Sequence, residues 1–179
     1  DGIFIQHPRG YDKQKWQELV DQIPPEKDVD CLTSENLQLI KEGKPRFLPA
    51  TVKAVIYCLE NALYLERSDL AVRQGLTLSN FPSGKNVVIL GRSPILGLPL
   101  YYWLKNLGAN VTLLHSQSTI NNYQSAIRSA DILISSVGKP GIITADMVKK
   151  GAIVIDCGSP LGDVVFNEVA LKASAITPV

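Results

Sequence analysis

From residue 86 onward the chain settles into a rhythm that few folds can accommodate. The apolar runs VVIL (87–90), VTLL (111–114), ILIS (132–135) and AIVID (152–156) alternate with stretches of helical character at 96–107, 121–129 and 144–150. Strands that are apolar nearly throughout must be covered on both faces, and a helix between successive strands is the connection that parallel pairing requires. The expected class is therefore α/β, a parallel sheet between two layers of helices. In open sheets of this kind ligands sit beyond the carboxyl ends of the strands, so a site belongs in the loops that follow them.

The first of those loops is the most informative. In VVILGRSPILGLPL, Gly91 ends a strand and Gly97 opens a helix, as in a dinucleotide-binding turn. Yet Arg92, Ser93 and Pro94 stand where a further glycine is usual. A helix N-terminus at the end of a parallel strand places N–H groups and the positive end of the helix dipole where an anionic phosphate is stabilised. Gly97 allows close approach of helix to strand, or of backbone to ligand. A two-glycine turn alone fits a bare strand–helix corner equally well. Arg92 tips the balance toward a ligand, because a guanidinium offers a phosphate monoester a fixed charge and several donors, although a surface arginine would look the same. Roughly 20 residues on, NAD sites usually have an acid that holds the ribose 2′-hydroxyl. Here the second strand ends in HSQS, with His115 and Ser116 and no carboxylate. A hydroxyl together with Arg92 suits a 2′-phosphate, which favours NADP over NAD; His115 is assigned no chemistry. The glycine-containing loops SSVGKPG (135–141) and VIDCGSP (154–160) border the same crevice, but either alone is ordinary for a βα loop.

Upstream the pattern is less regular. GIFIQ (2–6) reads as a short strand stopped by Pro8. Trp16, Leu19, Val20 and Ile23 recur at helical spacing over 12–23, ahead of Pro24 and Pro25. A second short helix has Ser34 as N-cap and Gly43 beyond its end. A third runs from near Thr51 to about Arg67, with Val52, Val55, Ile56, Leu59 and Leu63 on one face. RQGLTLSNFPSGK (73–85) is rich in turn formers and reads as a boundary between domains. Asp28 and Asp30 fit a solvated loop more simply than an active-site acid, and Gln6 fits an edge-strand position. Tyr11/Lys15 and Tyr101/Lys105 have the spacing of a proton-transfer pair. Each is more simply a coincidence of a helix surface.

With 179 residues, 45% hydrophobic and 20% charged, the chain can bury a substantial core in one large domain or two small ones. A net charge of +1 with no basic or acidic block leaves no electrostatic footprint for nucleic acid or an anionic membrane. No apolar run reaches transmembrane length. Cys31, Cys58 and Cys157, widely spaced and odd in number, argue against a disulfide framework or a metal site and for a reducing compartment. The chain opens Asp-Gly-Ile and closes Ile-Thr-Pro-Val, and we expect it to be a piece of a longer polypeptide.

Taken in order, DGIFIQHP, PPEKDVD, LPAT, VVILGRSPILGLP, VTLLHSQS, ADILISSVGKPGIITADMVKKGAIVIDCG, GDVVF and AITPV resemble the methylenetetrahydrofolate dehydrogenase/methenyltetrahydrofolate cyclohydrolase family along nearly the whole chain. The resemblance implies NADP-dependent oxidation of a folate-bound methylene to methenyl, followed by hydrolysis to 10-formyltetrahydrofolate. It further implies a homodimer with a small-molecule folate substrate, serving one-carbon metabolism and purine biosynthesis in the cytoplasm, or in the mitochondrion if a transit peptide precedes. By the same resemblance residues 1–55 are the C-terminal part of an α/β folate-binding catalytic domain, and residues 56–176 a Rossmann-like NADP-binding domain.

Residue by residue, Gln6 matches the glutamine that contacts the family's catalytic lysine and substrate, and Asp30 the aspartate that binds the pterin. Gly91, Arg92, Ser93 and Gly97 match the cofactor turn, and Ser116 the residue near the 2′-phosphate. Thr51 matches the threonine of a Pro-Cys-Thr or Pro-Ala-Thr loop at the domain junction. Ser159 stands where the family has an isoleucine facing the nicotinamide side, so a contact there would run through backbone. The family's Tyr-x-x-x-Lys helix precedes the strand at which this chain begins, so the piece alone is expected to turn over poorly. QHPRG, Cys31 in place of a glycine, and the short GSPLG loop depart from the family pattern. They keep a second reading in view, a catalytically impaired relative that binds NADP as a regulatory or structural domain.

Overall fold

In the computed structural model, which describes residues 1–6, 8, 10, 12–66, 83–115 and 120–179, five parallel strands form one sheet. In chain order they are β1 (Asn86–Leu90), β2 (Asn110–Leu114), β3 (Ile132–Ser135), β4 (Ile153–Asp156) and β5 (Ala175–Ile176). Their spatial order is β2-β1-β3-β4-β5. β3 and β4 are buried at every residue and β1 at four of five, as their unbroken apolar runs require, whereas edge strand β2 alternates exposure. The register sets Val87 beside Ile132 and Val111, and Ile132 beside Ile153. β5, two residues long, had no counterpart in the sequence reading.

Period-two alternation divides the side chains between two cores. On one face Val87, Ile89, Ile132, Ile134, Ile153 and Ile155 pack against α3 (Ala50–Glu66) and α4 (Gly97–Asn106) through Val52, Val55, Leu59, Leu100 and Leu104. On the other, Val88, Leu90, Leu133 and Val154 meet Ile127 of α5 (Ile120–Ser129), Val148 and Val169 of α6 (Phe166–Val169). α3 is continuous across positions 55 and 56, and its buried residues on both sides of that point join the sheet's core.

A smaller cluster of Trp16, Val20, Ile23 and Leu32 gathers α1 (Lys13–Val20) near α2 (Ser34–Lys41). α2 leans on α4, with Asn106 Nδ2 donating to Ile40 O at 3.0 Å. Asp12 caps α1 by accepting from the N–H groups of Gln14 and Lys15. Thr33, rather than Ser34, caps α2. Ser34 instead donates its hydroxyl to Asp21 at 2.8 Å.

Two further expectations give way. GIFIQ is not a strand: only Ile3 bridges, to Asp28, and the loop it meets turns away because the Asp28 carboxylate gathers Leu32 N–H and Thr33 N–H. The 144–150 helix is a single tight turn, with Met147 N–H on Thr144 O and Val148 N–H on Ala145 O. Seven residues is short of a stable helical nucleus, and Gly151 at φ 79° turns the chain into β4. The proposed boundary segment 73–85 lies mostly outside the described residues.

Candidate functional site

After β1 the chain moves to one side to form β2, then crosses back to form β3 on the other. The connections that leave β1 and β3 therefore diverge, although the strands stay paired to Leu90 and Ser135, which is the place of the crevice in doubly wound sheets.

Gly91 leaves β1 at φ 109°, its N–H donated to Leu114 O at 2.9 Å. A Cβ there would lie 2.7 Å from both the carbonyl and the hydroxyl oxygen of Ser136. Gly97 is tighter still, since its Cβ would stand 2.0 Å from Gly91 O. These two glycines let the first turn of α4 settle directly onto the loop.

Ser93 folds that loop from within. Its hydroxyl accepts from Leu96 N–H at 3.2 Å and its carbonyl from Leu98 N–H at 3.1 Å. Pro99 has no N–H to offer. The helix end thus presents fewer donors than the sequence pattern suggested, and the Arg92 side chain is exposed at the turn. Thr51, in the first turn of α3, donates its hydroxyl to Ile95 O at 2.6 Å and ties α3 to the same loop.

A cleft of ≈ 550 Å³ opens between α3, this turn and the loops after β3, β4 and β5. Its volume falls within the range of small-molecule sites. Thr51, Ser93 and Ser159 all line it, together with Val137, Cys157 and Thr177. Gly91 and Gly97 shape its edge through backbone contacts. Ser116 lies outside the described residues, while His115 follows the end of β2 as expected.

The other two site residues stand apart from the cleft. Gln6 is exposed and Asp30 half-buried, and neither lines it. Asp30 Oδ1 instead accepts from Ala50 N–H at 3.4 Å, at the N-terminus of α3 and next to Thr51. Beside it Cys31 is buried with φ 57°, a left-handed conformation that explains why a glycine serves well there. Burial, then the charges of Asp28 and Asp30, push its thiol up to about 12. Burial alone would raise Asp28, but hydrogen bonds from Thr33, Asn36 and Leu32 outweigh it and hold that carboxyl below its ordinary value. Arg46 completes the arrangement by donating to Asn36 Oδ1 at 2.8 Å.

Sequence reasoning missed the groups beneath the cleft. Asp156 and Asp163 are both buried, and both bind backbone N–H groups of the surrounding loops. An aspartate in a glycine-containing loop carries no local sign of burial. Cys157, on the cleft wall, has its thiol pushed up to about 11, chiefly by burial and then by Asp156. Among the described residues no cluster of three or more metal-ligating side chains occurs.

The comparisons with known proteins bear on this geometry. Residues 76–179 match the family described as tetrahydrofolate dehydrogenase/cyclohydrolase, NAD(P)-binding domain. A bifunctional protein FolD of Caldanaerobacter subterraneus is 37% identical over 99% of this chain and 59% of its own length. One from Lactobacillus delbrueckii is 42% identical over 90% of this chain and 53% of its own. The chain thus spans somewhat over half the length of these curated relatives. Among solved structures, the Trypanosoma brucei methylenetetrahydrofolate dehydrogenase-cyclohydrolase, complexed with NADP and an inhibitor, superposes with TM-score 0.80 at 33% identity, covering 99% of this chain and 59% of that one. The chain belongs to the tetrahydrofolate dehydrogenase/cyclohydrolase family and carries its NAD(P)-binding domain.

Proposed function

We propose that the chain is the NADP-binding portion, with part of the folate-binding portion, of an enzyme that oxidises 5,10-methylenetetrahydrofolate to 5,10-methenyltetrahydrofolate and hydrolyses the product to 10-formyltetrahydrofolate. The observation that carries this reading is the cleft at the crossover of the sheet, entered by the Gly91–Gly97 turn and walled by Thr51, Ser93 and Ser159. Its tight backbone and volume fit a dinucleotide. When bound, the cofactor supplies the hydride-accepting ring. The chain's own residues bind and align it, and alignment is most of what hydride transfer from a methylene carbon requires.

In this reading Arg92 and Ser116 meet the 2′-phosphate, while Gly91, Ser93 and Gly97 shape the turn around the diphosphate. Thr51 and Ser159 face the nicotinamide half. Gln6 and Asp30 serve the folate side, where Asp30 already stands one residue's reach from Thr51 through its bond to Ala50. The division between folate and nucleotide domains at 55/56 falls inside α3, so this helix serves both. A folate substrate, a second copy of the chain as partner and a cytoplasmic setting in purine-directed one-carbon metabolism complete the proposal.

Arg92→Ala tests the cofactor assignment. Losing a charge-assisted contact costs about 1.5–3 kcal/mol, roughly ten- to hundred-fold in affinity. NADP binding should fall by that factor with NAD binding nearly unchanged, as read by calorimetric titration. Equal losses for the two nucleotides would remove Arg92 from the 2′-phosphate.

A further inference from the structure

Three loops wall the cleft after β3, β4 and β5; two buried carboxylates join the first two, and the backbone N–H of Asp156 holds the third. Asp163, 0% exposed, accepts three short hydrogen bonds, one from the last residue of β3 and two from the loop that follows: Ser135 Oγ at 2.6 Å, Val137 N–H at 2.7 Å and Lys139 N–H at 2.7 Å. Its own N–H donates to Asp156 Oδ1 at 3.1 Å. Asp156 also gathers Gly158 N–H at 2.8 Å and Val164 N–H at 2.9 Å from the loop after β4. The N–H of Asp156 donates to Thr177 Oγ1 at 2.9 Å, which fixes the segment after β5. Gly158 and Gly162 leave room for both carboxylates: a Cβ on the first would lie 2.7 Å from Asp163 Oδ1, and on the second 2.6 Å from Asp156 Oδ2.

Every donor named here is neutral, and burying a carboxylate costs free energy unless hydrogen bonds compensate. Val137, at the centre of the Asp163 cluster, itself lines the cleft, as do its neighbours Ser136 and Gly138. In a sheet of this order the β2 side of the turn meets the adenosine ribose, so the β3–β4–β5 side faces the other half of the dinucleotide. We propose that Asp163 is a positioning residue: by clamping Ser135, Val137 and Lys139 it sets the loop that receives the nicotinamide half of NADP. This rests on the NADP-binding reading above.

The test uses the full chain as wild type, Asp163→Asn and Ser135→Ala, titrated with NADP and with adenosine 2′,5′-bisphosphate, which lacks the nicotinamide half. Asparagine keeps the shape but turns an N–H₂ toward one set of donors. Asp163→Asn should weaken NADP about ten-fold and leave adenosine 2′,5′-bisphosphate within about two-fold. Amide exchange at Val137 and Lys139 should accelerate while that of β1 stays protected. Unchanged NADP affinity, or equal weakening of both ligands, would overturn the proposal. Should Asp163→Asn fail to fold, Ser135→Ala, with an expected loss of about three-fold for NADP alone, decides on the same criterion. A wild-type chain that bound neither ligand would sink the cofactor reading and this inference with it, whereas exchange at Val137 and Lys139 reports on the clamp by itself.

Discussion

Cys31 occupies a left-handed backbone at φ 57° while buried. An L-residue costs roughly 1–2 kcal/mol in that region, and glycine almost nothing. Comparing two truncations separates backbone strain from the loss of the buried thiol. Cys31→Gly and Cys31→Ala both remove it, and only alanine keeps a Cβ in the strained conformation. In chemical denaturation the glycine variant should be the more stable by about 1 kcal/mol, the reverse of the usual order at an ordinary position. An alanine variant as stable as the glycine one would mean that this backbone carries no strain. At the same scale, Gly91 and Gly97 are fixed by contact rather than by flexibility alone, since each stands where a side chain would collide with its neighbour.

Elements owe their positions to polar groups as much as to apolar ones. The loop leading into α2 is held by Asp28, which binds Leu32 N–H, Thr33 N–H and Asn36 Nδ2, the last at 2.9 Å. Because these bonds depress its folded value below 3.8, Asp28 contributes stability at pH above that ordinary value, and the contribution is lost as pH falls through the depressed one. Asp28→Asn should therefore cost about 1–3 kcal/mol near neutral pH and flatten the loss of stability below about pH 4. Thermal unfolding of both proteins across pH 3–7 reads this directly, and parallel pH profiles would refute it.

The apolar strands β1, β3 and β4 were legible in the sequence because burial on both faces leaves an unmistakable run, and α4 because glycine punctuates its start. GIFIQ and 144–150 misled, since both have the composition of an element but too little partner or length to form one. The clamps by Asp156 and Asp163 were illegible for another reason. Their donors lie up to 28 residues away, as Ser135 does from Asp163, and no local spacing records such a contact. Arg92, Ser93, Ser159 and Thr51 were proposed from local pattern and resemblance. The structure draws Thr51, Ser93 and Ser159 to one cleft, sets Arg92 exposed on the turn beside it, and leaves Gln6 and Asp30 apart.

For the molecule as a whole, a single sheet organises everything that faces the cleft. α3 arrives from the upstream segment, packs across β4 and touches the glycine turn through Thr51, so it shares the core of the sheet. In the proposed reading a dinucleotide lies across the ends of β1 and β3 with its 2′-phosphate at Arg92. Residue-resolved amide NMR of the chain during titration with NADP tests it most directly. Saturable shifts should concentrate at 91–98, 136–139 and 157–159 and reach Thr51, with NAD producing the same map at higher concentration. Shifts centred elsewhere, or none at saturating NADP, would contradict it.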